Sequence, residues 1–549
     1  MCEHLNSEMK LRPPLESNRF DVIVIGGGIN GVAIARECAR AGRRTLLVEQ
    51  HDFAAGTTSR STRIIHGGLR YLEHRDIGQV RESLRERRWM LQRYPHLVHP
   101  LKFLLALDAN SRRSALAVRA GLWLYRKMGN TDLQSNDSKQ EERQLESLLD
   151  AGKRFSVLNF DDAQCEFPER LVAEWLVEAI AAGARARNHT QVLAVNIRNG
   201  RATGAVLLDK LSGREERVEA TWIINATGPW ADNVCRSSNI QTHNPMVGGV
   251  RGSHIVLPKF AGMPDAAVYT EAIDGRPIFV IPWNEQVLVG TTEVADNSEP
   301  GAVSPSRDEL DYLLRSLRHL FPTVQASRET IHYAFAGVRP LPYSPQNRPS
   351  EVTRKHHFHD HSDDGAAQMI SVVGGKLTTA GSLARECAAK IGAEFPASAL
   401  TLASETNADR AIEQWVLDVA ERGGVTTDTA HAIAEWYGKR AMAVAAVARG
   451  SAEMRAQLCP HTRHIVAEAA DAFGNECACT LADVLLRRVP VALGACWSSS
   501  CSREAATRVG AVMEWNDERI ASEWEEFERE RESFLQKASR ASATVEAKA

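Results

Sequence analysis

Gly26, Gly28 and Gly31 follow the apolar run Phe20-Asp21-Val22-Ile23-Val24-Ile25 at the spacing G-x-G-x-x-G, and Glu49 closes the next apolar run, Thr45 to Val48. In a strand, turn, helix, strand unit this order binds a dinucleotide. Gly26 permits the tight turn, Gly28 lets the backbone approach a pyrophosphate, and Gly31 lets the helix lie close on the strand. Glu49 is placed to accept hydrogen bonds from an adenosine ribose. The helix start adds N–H groups and the positive end of a dipole for the phosphates. The expected cofactor is FAD or NAD. Gly374-Gly375-Lys376-Leu377-Thr378-Thr379 stands between an apolar strand, Ile370 to Val373, and a helical pattern, so it predicts a second anion site.

Other segments must hold these residues in place. Periodicity predicts helices over Arg75 to Tyr94, Arg113 to Met128 and Arg170 to Ala182, with a polar loop at Gly129 to Glu146. A strand at Gln191 to Ile197 is expected, and Trp222-Ile223-Ile224-Asn225-Ala226-Thr227-Gly228 reads as a strand and small-residue turn that returns the chain to the nucleotide domain. Between Val250 and Tyr333 the strands His254 to Leu257, Ile278 to Pro282 and Val287 to Gly290 suggest an inserted antiparallel substrate domain. Residues Asn407 to Leu535 are Ala-, Arg- and Glu-rich and should be helical.

With 549 residues the chain is long enough for two or three domains, and a formal net charge of −3 gives no bulk attraction to nucleic acid. Its ten scattered cysteines lack the spacing of a secreted disulfide framework, so a reducing cytoplasm is expected. Met1 to Arg19 has no apolar core of a signal peptide, and no apolar run is long enough to span a bilayer. From Arg60 to Lys127, however, fifteen Lys/Arg face five Asp/Glu. Two readings stand: a basic surface for anionic lipid or substrate, or charges met by acids elsewhere, for which Asp517 to Glu532 with eight acids is a source.

Eight ordered blocks carry a family resemblance: Gly26 to Gly31; Thr58-Ser59-Arg60-Ser61-Thr62-Arg63-Ile64-Ile65-His66-Gly67-Gly68-Leu69-Arg70-Tyr71-Leu72-Glu73; Asn225 to Trp230; Gly252 to Val256; Ile281-Pro282-Trp283; Gly290-Thr291-Thr292; Gly337-Val338-Arg339-Pro340-Leu341; and Gly374 to Thr379. Together they resemble FAD-dependent glycerol-3-phosphate dehydrogenase, of the D-amino-acid-oxidase-like superfamily. Thr480 to Arg488 resembles the helical C-terminal domain of the same family. The resemblance implies an α/β fold: a Rossmann-like FAD-binding domain with an inserted antiparallel-sheet substrate domain, plus an α-helical C-terminal domain. The expected limits are a 1–19 extension, an oxidoreductase domain at 20–404 and a C-terminal domain at 405–549. Within 20–404 the FAD-binding pieces are about 20–100, 155–245 and 345–404, and the substrate part is about 246–344.

The implied reaction is oxidation of sn-glycerol 3-phosphate to dihydroxyacetone phosphate, with FAD accepting hydride and a membrane quinone accepting the electrons. Such a protein would sit on the cytoplasmic face of the membrane, on an anionic lipid surface, with a homodimer as its candidate assembly. His66 and His254 are candidate proton acceptors, because imidazole titrates near neutrality and Gly67, Gly68 and Ser253 leave room for a substrate. Arg339, Lys376, Arg70 and Tyr71 form a set suited to a phosphate, and Arg339 also to a developing alkoxide. The flavin-contact set becomes Gly26, Gly28, Gly31, Glu49, Thr58, Ser59, Val192, Thr227, Gly228, Gly374, Gly375, Lys376, Leu377 and Thr378, with Gly374 to Thr379 at the pyrimidine edge. The chain departs from the family's usual pattern at Ala380-Gly381, at Glu293, and in an Arg-Leu pair delayed to Arg170-Leu171.

Two rival readings share the nucleotide motif: a flavoenzyme acting on amino or hydroxy acids, which would need a carboxylate clamp, and a flavin-holding module without catalysis. No metal is expected. The run His356, His357, His359, His361 fits one face of a strand entering a turn, and Cys477, Cys479, Cys496 and Cys501 lack C-x-x-C spacing, so both clusters are expected to be structural or incidental.

Overall fold

The computed structural model describes residues 15–69, 76–108, 111, 114–129, 138–346, 352–393 and 408–537. Among them lie two sheets and a helical C-terminal region. In the first sheet Arg19–Ile25 runs parallel to Thr45–Val48 on one side and Glu215–Asn225 on the other, and Met369–Val373 follows in parallel beyond it. Parallel strands end on the same edge. Gly26, Glu49, Ala226 to Gly228 and Gly374 to Lys376 are therefore delivered to one rim, where α/β folds bind their ligands. The expected strand at Gln191 to Ile197 forms as Thr190–Arg198, paired antiparallel with Arg201–Asp209.

The helix Ile29–Arg40 is buried on almost every side, lying between the sheet and the helices Pro168–Ala181 and Ala380–Lys390. Two charges, Arg36 and Glu37, go inside with it. Arg36, 1% exposed, stacks 4.5 Å from the Trp175 ring and bonds Glu37, Glu178 and Tyr94, so its charge is fully partnered. At the start of Ala380–Lys390 a Cβ on Gly381 would meet Glu86 at 3.0 Å and Arg385 at 3.3 Å. The small residues at Ala380-Gly381 thus make room for the Glu86–Arg385 ion pair.

The second sheet corrects the expected limits of the substrate part. Its nine strands are not confined to 246–344: Ile64–Ile65, His99–Asp108 and Phe155–Gln164 join it, all from stretches read as nucleotide-binding pieces. It is also mixed, since Ala267–Glu271 pairs in parallel with His99–Asp108 while its other strand pairs are antiparallel. A second correction falls at Gly129 to Glu146. Ser138–Leu148 is a helix, because Leu145 and Leu148, three apart, supply a stripe that is buried beside Leu104 and Leu257.

The basic stretch does not form a single face. Arg63, Arg87 and Lys102 are buried in ion pairs with Glu169, Asp162 and Glu141. The acids of Asp517–Phe534 serve elsewhere: Glu523 caps Leu481, Glu528 takes the Ser502 hydroxyl, and Glu530 binds Arg487. Arg81, Arg85, Arg88 and Arg93 reach solvent from the helix Ile77–Arg93, and the helix Ala115–Gly129 exposes Leu116 by 77%, Trp123 by 60% and Leu124 by 38%, with Arg119, Arg126 and Lys127 beside them. No helix among the described residues is long and apolar enough to cross a membrane.

Helices Ala408–Gly423, Thr427–Tyr437, Ala441–Ala448, Val466–Asn475, Ser499–Val512 and Asp517–Phe534 build the C-terminal region. Buried charge latches it to the nucleotide domain. Arg488 makes two 2.8 Å bonds to Asp52, Arg170 reaches Glu476, and His189 meets Asp483 at 3.0 Å. Beyond the last helix, Gln536 exchanges two 2.8 Å backbone hydrogen bonds with Ala334, on the strand Tyr333–Pro342 that carries Arg339.

Candidate active site

Along the rim of the first sheet runs a cavity of about 940 Å³. Gly26, Gly28, Glu49, Thr58, Val192, Thr227 and Gly228 line it, and at its other end so do Gly374, Gly375, Lys376, Leu377 and Arg339. Three expected contacts lie behind its wall instead. A Cβ on Gly31 would stand 1.8 Å from the Gly26 carbonyl oxygen, so this glycine serves the helix–strand approach. Ser59 donates to Ala54 O at 2.6 Å, and Thr378 Oγ1 accepts the His66 N–H at 3.1 Å.

The rim fits a dinucleotide. A Cβ on Gly28 would meet only Thr58 Oγ1, at 3.4 Å, so the turn is open toward the cavity at the point where a pyrophosphate must approach. Thr58 Oγ1 accepts the Ile29 N–H at 3.1 Å, holding an oxygen at the helix N-terminus. Glu49 accepts from Gly27 N–H at 2.7 Å and His51 N–H at 2.9 Å, and both oxygens keep capacity for ribose hydroxyls. Burial raises its pKa while those two N–H bonds pull it back.

A smaller cavity of about 110 Å³ adjoins the Lys376 end, and Arg354 lines both. Its polar wall is His66, Asp162, Thr291, Glu293, Arg276 and Arg354, and its apolar wall includes Phe103, Phe160, Tyr269 and Phe279. Arg339 reaches its edge, donating to Thr291 Oγ1 at 2.9 Å and Thr292 O at 3.2 Å. Glu293 spans the cations, 2.6 Å from Arg354 and 3.7 Å from Arg339. The glutamate at this position is therefore a fastener for two arginines.

Burial, reinforced by Lys376 and Arg354, drives the His66 pKa down to about 3. Its imidazole is neutral at pH 7, and it becomes a better proton acceptor once an anionic substrate offsets the cations beside it. Burial also lowers Lys376, to about 7; Glu82 opposes this and Arg354 adds to it. A neutral base beside two arginines and a titrating lysine can take a hydroxyl proton from a substrate whose anionic end the cations hold.

His254 lines neither cavity. Its Nε2 shares a 3.0 Å hydrogen bond with Thr62 Oγ1, its ring stacks 5.0 Å from Phe335, and a Cβ on Gly290 would strike it at 2.2 Å. Gly290, and not Gly67, Gly68 or Ser253, is the small residue that makes room for this ring. Arg70 and Tyr71 lie outside the described residues. Arg354 and Arg276 were missed: Arg354 stands just before the histidine run, which drew the reading of that stretch, and nothing about the spacing of either marks it as inward-facing. In the histidine run, His359 and His361 share Asp364 at 2.6 and 2.8 Å, and His356 meets Glu386 at 3.0 Å.

Residues 21–380 match the family model described as FAD dependent oxidoreductase, and 371–520 match the C-terminal domain of alpha-glycerophosphate oxidase. A glycerol-3-phosphate dehydrogenase of Synechocystis sp. is 36% identical over 504 residues, covering 88% of this chain and 91% of the relative. The chain belongs to the FAD-dependent glycerol-3-phosphate dehydrogenase family. An aerobic glycerol-3-phosphate dehydrogenase of Staphylococcus epidermidis is 31% identical over 454 residues, 78% of this chain and 79% of that protein. The fold agrees with the glycerol-3-phosphate dehydrogenase of Bacillus halodurans complexed with FAD, at a TM-score of 0.71 and 22% identity over 94% of this chain and 95% of that one. As in its family, FAD is the cofactor, and the α/β oxidoreductase fold with a helical C-terminal domain is as expected from the sequence.

Proposed function

We propose that this enzyme oxidises sn-glycerol 3-phosphate to dihydroxyacetone phosphate and passes the electrons to a membrane quinone from the cytoplasmic face. The observation that carries the reading is the convergence of Arg339, Arg354 and Lys376 with neutral His66 at one end of the dinucleotide groove. Bound FAD would supply the hydride acceptor for C2. The protein's share is the rest: the cations hold the phosphate, His66 takes the hydroxyl proton, and the Phe103, Phe160, Phe279 wall excludes water. A carboxylate substrate needs a single arginine clamp, so three cations favour the doubly charged phosphate. The exposed Leu116, Trp123 and Leu124 with adjacent basic residues support a membrane surface as the place of electron delivery.

The test is anaerobic rapid mixing of the purified flavoprotein with sn-glycerol 3-phosphate, with glycerol and D-alanine as controls. Bleaching of the flavin band by the phosphate ester alone is the expected result. Bleaching by D-alanine, or by none of the three, would overturn the substrate assignment.

A further inference from the structure

We infer that Cys459, His461 and Cys501, joined by Cys496, form a zinc site that pins the 451–465 loop to the start of the helix Ser499–Val512. The Cys459 Sγ, a His461 ring nitrogen and the Cys501 Sγ all lie within 4.8 Å of one another, and His461 Nδ1 is 3.3 Å from Cys501 Sγ. Tetrahedral zinc with Zn–S near ~2.3 Å and Zn–N near ~2.0 Å requires ligand atoms roughly 3.5–3.8 Å apart. The His461–Cys501 pair is close to that spacing, and the whole set, within 4.8 Å, needs only a small contraction to reach it. Cys496 is exposed, and its carbonyl accepts from the Cys501 thiol at 3.8 Å, which brings it beside the set. Turning its thiol inward completes a Cys₃His set.

Two other clusters have comparable geometry and different chemistry. Asp52, His189 and Asp483 are already neutralised by the guanidinium groups of Arg487 and Arg488. His359 and His361 are both spent on the Asp364 carboxylate. The cysteine cluster offers soft ligands, two of them buried with the histidine facing solvent, so it combines zinc preference with an entry path. Ser498 donates to Cys501 Sγ at 3.4 Å and caps the same helix turn, which stabilises a thiolate there. Binding exchanges thiol protons for the metal and involves no redox change. The C-x-H and C-x₄-C spacings explain why a search for C-x-x-C passes over the site.

The experiment uses the full-length FAD-loaded enzyme purified without added metal. About one zinc per chain by plasma mass spectrometry is expected. Chelator-stripped enzyme given Co²⁺ should develop thiolate-to-cobalt charge-transfer absorption, lost in the Cys459→Ser/Cys501→Ser double variant and weakened about tenfold in affinity by Cys496→Ser. Flavin content reports whether the variants have folded, and if they have not, the wild-type cobalt titration decides alone. Zinc below about a tenth per chain with no cobalt band in the reduced wild type would overturn the site. So would a native Cys459–Cys501 disulfide, seen as two missing hydrogens in the intact mass.

Discussion

Arg170 and Glu476 stand 306 positions apart in sequence and form a two-pronged ion pair, at 2.8 and 3.1 Å, with both side chains fully buried. Arg170 also donates to the Arg488 carbonyl at 2.8 Å, so one side chain fastens the helix Pro168–Ala181 to two parts of the C-terminal region. Removing Arg170 leaves the buried Glu476 carboxylate to Arg440, which holds it at 2.8 Å. Arg170→Met should cost about 1–3 kcal/mol in denaturant unfolding, and adding Glu476→Met should not recover it, because that change takes a partner from Arg440. A loss under about 1 kcal/mol for Arg170→Met would mean that the latch is not a stability element.

In the proposed mechanism His66 takes the substrate's hydroxyl proton. His66→Asn keeps the size of the side chain and removes the base, so kcat should fall about 10²–10⁴-fold with flavin content unchanged. His254→Asn, altering a ring that packs on Phe335 away from both cavities, should act mainly on stability. Equal kinetic losses in the two variants, at equal flavin content, would contradict this division of labour.

Lys376, with its pKa brought down to about 7, is charged below that pH and neutral above it. Phosphate binding should therefore weaken as pH rises through about 7, with kcat/KM approaching a tenfold fall per pH unit on the alkaline limb and KM carrying most of the change. Lys376→Arg keeps its charge at every accessible pH and should remove that limb. A profile that stays flat to pH 9 in the wild type would show that Lys376 remains charged in the working enzyme.

Leu116 and Trp123 are the test of membrane contact. Leu116→Asp with Trp123→Ser should cut co-sedimentation with anionic vesicles at least tenfold while leaving turnover with a soluble dye intact. Unchanged sedimentation would remove this helix from the docking surface. Arg87 would be a poor probe for the same question, because it is buried on Asp162 and its reversal would damage the fold.

The sequence disclosed what repeats locally. Gly26, Gly28, Glu49 and Gly374 to Leu377 line the groove as their motifs required, because a glycine turn after a parallel strand fixes its own position on the rim. It disclosed less where a residue's role is set by a distant strand. Arg354 becomes a site residue only because Glu293 holds it, and His254 turns inward because Gly290 and Phe335 flank it from other strands of its sheet. The helix Ser138–Leu148 was obscured by its polar composition, in which two buried leucines outweigh the charged surface. The basic stretch misled for the converse reason, since charge counted along the chain ignores the carboxylates that meet it in space.

Both sheets are stitched from far-apart segments. Arg19–Ile25 must wait for Glu215–Asn225 and Met369–Val373, and His99–Asp108 must wait for Ala267–Glu271. At ~5–20 residues per second of synthesis, the first strand emerges on the order of 20–70 s before its sheet can close. Through that interval the apolar strand Val22 to Ile25 and the helix behind it have no finished surface to cover them. Nascent chains of this enzyme are thus exposed to aggregation for longer than their final compactness would suggest, and their yield in a cell will depend on chaperone supply and on the pace of translation.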